Sequence, residues 1–130
     1  MLLTKEYLVG VWTLDEFIVH RGSGEVFVWP GKQSGTLIYT DNGFVSVAQN
    51  RQPLKNASAV DRQRESNFYT GRYQLDLANG CIFHTALQSS VASVIGEQMK
   101  RELKCLDDGR LSLSGLGLRE RVTLVWSKIT

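Results

Sequence analysis

Apolar and polar residues alternate along this chain in short runs that stop at turn-forming residues. Period-two alternation of this length marks β-strands with one buried face. The first run, "VWTLDEFIVH" (11–20), ends at "RGSGE", and "VFVW" (26–29) ends at "PGKQSG". "TLIYT" (36–40) meets "DNG" and is followed by "FVSVAQ" (44–49). Asn42 and Gly43 tolerate the positive φ of tight hairpin loops, so this junction predicts a hairpin. Then come "FYTGRYQLD" (68–76), a turn at "LANG", and "CIFHTALQ" (81–88). "QMKRELKCL" (98–106), a turn at "DDGR", "LSLSG" (111–115) and "RERVTLVWSKI" (119–129) complete the series. About nine strands joined mostly by short turns predict an all-β fold, an antiparallel up-and-down β-barrel of about eight to ten strands. An open two-sheet sandwich is the structural alternative. Strands and helices do not alternate, which argues against a parallel α/β sheet.

Two places read as helical. Thr4 can cap a single N-terminal turn, "TKEYL", that plugs one end of a barrel. "SAVDRQRES" (58–66) opens with Ser58 and has Asp61 three positions on, a start that resembles a capping box. The stretch 50–66 is polar, lacks strand character and forms the longest irregular connection, as lids and binding loops do. Its basic residues Arg51, Lys55, Arg62 and Arg64 are interrupted by Asp61 and Glu65, the mixture of a solvated lid and not of a nucleic-acid groove. A shorter connection, "SSVASVIGE" (89–97), carries Val91, Val94 and Ile95 at helical spacing. Both connections are expected near a barrel mouth.

Alternation also assigns faces. Trp12, Leu14, Glu16 and Ile18 share one face of the first strand, but a long first strand in a closed barrel bends at a bulge, so parity is not carried past Glu16. Closing the barrel pairs the first strand with the last and sets Trp12 beside Trp126 to Lys128. A Lys128 ammonium over the Trp12 indole is then expected, a contact of roughly 0.5–2 kcal/mol. The middle strands offer Leu37, Tyr39, Val45 and Val47, then Tyr69, Tyr73 and Leu75, then Met99, Leu103 and Cys105. Such an interior is apolar with a few phenolic hydroxyls, and a barrel of roughly eight strands is either packed or hollow.

Composition narrows the function classes. A chain of 130 residues with 42% apolar and 22% charged residues predicts one compact domain spanning 1–130. A net charge of +2 argues for neither nucleic acid nor an anionic membrane as partner. No segment reaches the ~20 apolar residues of a bilayer span, and the start lacks a signal-peptide core, which together predict a cytoplasmic chain beginning at or near Met1. Cys81 and Cys105 read as two small apolar thiols, and two His with two Cys at irregular spacing make no metal set. His84, alone in "CIFHTALQ", either orients a ligand or works as acid/base, or is tied into the barrel wall by a hydrogen bond. His20 reads as solvated, and Glu16 and Arg72 read as solvent-facing, the alternative being that either points into a cavity as a ligand anchor. No nucleophile elbow or phosphate cradle is present, and no cofactor is expected.

The whole order of motifs resembles the bacterial and fungal lipocalin-like domain family of the calycin type. The resemblance rests on "LVGVWTLDEF", "SGTLIYTDNGFVSV", "YTGRYQLDLANGCIFHTAL", "DDGRLSLSG" and the closing "TLVWSKI", almost end to end apart from 50–66. It implies a small antiparallel β-barrel with a pocket for a small, mostly apolar molecule. Where the family often carries two adjacent histidines, this chain has His84 followed by Thr85, which weakens a histidine-pair chemistry. The basic-x-Tyr motif of fatty-acid carriers is absent, since Thr123 stands two places after Arg121. The expectation is a non-catalytic binder of a small hydrophobic ligand, with Trp12, Tyr39, Tyr73, His84 and Met99 as ligand-binding residues. The alternative is an isomerase or cyclase of secondary metabolism with His84 as its polar catalytic residue. A homodimer is left open.

Overall fold

The computed structural model describes residues 2–117 and 120–130. Nine strands follow in chain order: β1 Gly10–His20, β2 Val26–Val28, β3 Gln33–Tyr39, β4 Phe44–Arg51, β5 Ser66–Asp76, β6 Cys81–Ser89, β7 Gln98–Cys105, β8 Leu111–Leu116 and β9 Arg121–Lys128. From β3 to β9 each strand pairs antiparallel with the next, and β1 pairs with both β3 and β9. That closes an antiparallel barrel of eight strands. The short β2 stands outside the ring, paired with Ile18 to His20 at the end of β1. The turn at Asp41 to Gly43 joins β3 to β4 as expected, with Gly43 at φ +93°.

Three strands run further than the apolar pattern reaches. Gln33 pairs with Arg51 and Asn50 with Ser66, so the ladders continue through polar residues that still alternate between faces. The expected last strand began at Arg119, which lies outside the described residues.

The bulge in β1 falls between Leu14 and Glu16. Before it Trp12 and Leu14 are buried; after it Phe17 and Val19 are, while Asp15 and Glu16 both face solvent. One extra residue thus splits the interior into two clusters. The larger contains Trp12, Leu37, Tyr39, Ile82 and Trp126, and the smaller holds Phe17, Val19, Trp29 and Val122.

The two ends of the barrel are built differently. At one end the strands are joined by the tight turns 40–43, 77–80 and 106–110, and helix α1 (Lys5–Leu8) covers the opening. Thr4 caps that helix, its Oγ1 accepting from the Tyr7 N–H at 3.1 Å. Trp12 pairs with Lys128 in the β1–β9 ladder and donates its indole N–H to the Leu8 carbonyl at 2.9 Å. Lys128 Nζ sits 4.9 Å from the ring centres of both Trp12 and Tyr7 and donates to the carbonyls of Tyr7 and Val9. Gly10 makes the corner between helix and strand at φ +143°, where a Cβ would lie 2.0 Å from the Thr130 carbonyl oxygen. We call this the sealed end.

At the other end the connections are longer. Residues 52–65 carry helix α2 (Ala59–Gln63), whose cap Ser58 accepts from the Asp61 N–H at 3.1 Å. Residues 90–97 carry a 3-10 turn, Ala92–Val94. The expected solvated lid is corrected here: Lys55 and Arg62 are exposed, but Arg51, Asp61 and Arg64 are buried. Burial of these charges follows from pairing. Arg64 lies 3.0 Å from Asp61 and 3.5 Å from Glu120, and Arg21 reaches the same two carboxylates at 3.5 and 3.6 Å. These partners come from three separate parts of the chain and pin α2 to the barrel rim.

No helix among the described residues is long and apolar enough to cross a membrane.

Candidate functional site

The inward faces of the strands meet over a cavity of about 240 Å³ in the half of the barrel away from α1. Its apolar wall comes from Phe17, Leu37, Val47, Leu113, Leu124 and Trp126. Gln63 and Arg64 from the first long connection and Val91 and Val94 from the second border it. Alternation carries polar side chains to the same interior: Gln49 and Arg51 continue the inward row of Val45 and Val47, and Arg101 stands between Met99 and Leu103.

His84 is fully buried in the middle of β6 and lines the cavity. Its Nε2 is 2.7 Å from the Tyr39 hydroxyl and its Nδ1 is 2.6 Å from the Tyr69 hydroxyl. Burial, and then the positive charge of Arg101, push the imidazole down to about pKa 3, so it is neutral near pH 7. Burial pushes the Tyr69 phenol up to about 12 and raises that of Tyr39 as well. All three groups are therefore neutral hydrogen-bonding groups at physiological pH.

A neutral imidazole donates from one nitrogen and accepts at the other. Among the described residues the Tyr39 hydroxyl has no partner besides His84, and a buried unmet donor costs about 1–3 kcal/mol. The tautomer that satisfies the Tyr39 proton has Tyr39 O–H donating to Nε2 and Nδ1–H donating to Tyr69. Tyr69 lines the cavity and Tyr39 does not, so the spare hydroxyl proton of the relay is the one at the cavity wall. With both nitrogens engaged and a depressed pKa, His84 is a weak base near neutral pH.

Arg51 is buried between aromatic rings, its guanidinium carbon 3.6 Å from the centre of Phe17 and 5.8 Å from that of Trp29. It donates to Gln49 Oε1 and to the Arg64 carbonyl. Burial, and the neighbouring Arg64 charge, lower its pKa to about 10. Among the described residues no carboxylate lies within ion-pair distance of Arg51 or Arg101, whereas Arg64 has two.

Of the five residues expected to bind ligand, the structure brings His84 and Met99 to the cavity. Trp12 lies in the sealed end, and Tyr39 stands behind His84. Tyr73 is half-buried, packs edge-on to Tyr39 at 4.9 Å and donates to the Thr40 carbonyl at 2.6 Å, on the side away from the cavity. Arg51, Arg101 and Gln49 were not anticipated. Strand parity is a signal for Gln49 and Arg101, which continue inward apolar rows, whereas Arg51 fell in the stretch 50–66 expected to be an irregular connection. His20, Glu16 and Arg72 are exposed, and Cys81 and Cys105 are free thiols. Among the described residues no group of three or more His, Cys, Asp or Glu is placed to hold a metal ion.

Comparison with protein families matches the lipocalin-like domain over residues 9–129. Comparison with curated proteins finds none that matches.

Proposed function

The chain belongs to the lipocalin-like domain family, and from that premise we propose that it binds a small, mostly apolar molecule inside the barrel, entering between the two long connections. The observation that carries this reading is the asymmetry of the interior: one half is filled and sealed by α1, while the other encloses about 240 Å³ lined largely by apolar side chains. An apolar cavity of about 150 Å³ takes a benzene ring, so this one suits a body of roughly ten to fifteen non-hydrogen atoms. His84, Met99 and Tyr69 meet the ligand directly in this reading. Tyr39 acts through His84 as a positioning residue, and Trp12 holds the floor without touching the ligand.

Two measurements test it. Native mass spectrometry of freshly purified protein is expected to show a bound mass of about 130–210 daltons that denaturation releases. Calorimetric titration with naphthalene-sized probes is expected to give one site per chain. Bare polypeptide mass in every preparation, together with no binding of any such probe, would sink the reading.

A further inference from the structure

The buried polar side-chain atoms that lack a hydrogen-bond partner divide by place. Among the described residues three of them belong to residues that line the cavity, Arg51 Nε, Arg64 Nε and Trp126 Nε1, and all three are donors. The two acceptors among them, Gln33 Oε1 and Glu65 Oε2, belong to residues that do not line it. The relay through His84 adds the Tyr69 hydroxyl proton to the donor side. The charge balance has the same sign, since the described lining holds Arg51, Arg64 and Arg101 and no carboxylate. Asp61 and Glu120 are committed to Arg64 and Arg21 at the rim. A buried guanidinium without a counter-charge is costly, and two neutral carbonyl acceptors meet only part of its five donors.

We propose that the cavity takes an apolar molecule bearing one delocalised oxyanion, a carboxylate or an enolate, and that Arg51 is its principal receptor with Arg101 as the second cation of the wall. This rests on the ligand-binding reading above and specifies its ligand. The planar fork of a guanidinium fits such a group with two parallel hydrogen bonds, which a neutral carbonyl cannot match. The aromatic rings around Arg51 exclude water from that contact and hold the fork in place.

The test uses three naphthalene probes of one shape: 2-naphthoate, 2-acetylnaphthalene and 2-methylnaphthalene, titrated calorimetrically into the unmodified chain. The expected result is that 2-naphthoate binds at least about tenfold more tightly than either neutral probe. In Arg51→Met that preference is expected to fall to near unity while 2-methylnaphthalene still binds. Arg101→Gln, at a half-buried position, is expected to reduce the preference about threefold and carries the test if circular dichroism shows Arg51→Met unfolded. Equal binding of all three probes, or a preference that survives both substitutions, overturns the oxyanion site and leaves apolar binding standing. Failure of all three probes to bind the unmodified chain overturns both.

Discussion

The two ends of this barrel solve the same problem, how to finish a closed sheet, with opposite materials. The sealed end uses apolar bulk and backbone: Leu8 and Trp12 fill it, Gly10 turns the corner, and the Lys128 ammonium lies over aromatic rings and on two carbonyls. Its buried groups have their partners within the chain. The wide end uses charge, with Arg64, Asp61, Glu120 and Arg21 clasping α2 to the rim, and it leaves Arg51 and Trp126 Nε1 incompletely bonded. The difference separates stability from recognition. A group whose bonds are met internally has nothing left for a ligand, and one whose bonds are unmet lowers stability until a ligand arrives.

The largest break in that contrast is expected at the sealed end. Trp12→Ala removes a fully buried indole and its bond to Leu8, and denaturant unfolding should register a loss of about 3–5 kcal/mol. A loss below about 1 kcal/mol would mean that the floor does not hold the barrel together.

A second effect comes with acid. His84 has a folded pKa near 3 against 6.5 unfolded, so between these values the unfolded chain binds the extra proton and stability rises with pH. Lowering the pH from 7 to 5 is expected to remove about 2 kcal/mol from this group, a loss absent in His84→Gln. The same slope in both proteins would place its origin elsewhere.

Gly10→Ala follows at about 1–3 kcal/mol of destabilisation, read as a lowered melting temperature, because its φ and the nearby Thr130 carbonyl both resist a Cβ. The smallest effect sharpens the comparison most. Arg51→Met should leave the ligand-free protein unchanged or up to about 1 kcal/mol more stable, since it replaces a buried unpaired cation with an apolar chain of similar length. A marked loss in thermal melts would show that Arg51 serves the fold and not the cavity.

How far the sequence carries depends on which end is read. The sealed end was legible: the Thr4 cap, the Trp12–Lys128 contact across the closing ladder and a bulge in β1 all follow from local signals and barrel closure. The wide end was not. Arg64 and Asp61 look like any solvated helix pair, and only folding brings Glu120 and Arg21 from distant parts of the chain to bury them. Arg51 fell in the stretch read as a polar connection, because β4 continues two residues past its apolar pattern, and Arg101 was given no place although it stands between Met99 and Leu103 on the inward row.

The bulge in β1 decides more than the curvature of a strand. Unbroken alternation from Trp12 and Leu14 would have turned Glu16 and Ile18 inward, putting a carboxylate where Phe17 now stacks on Arg51. An interior acid there would neutralise the guanidinium and remove the basis of the anion site proposed for the cavity. The electrical sign of this interior is therefore a matter of counting, set by one residue of extra length and not by the kinds of residue the strand contains.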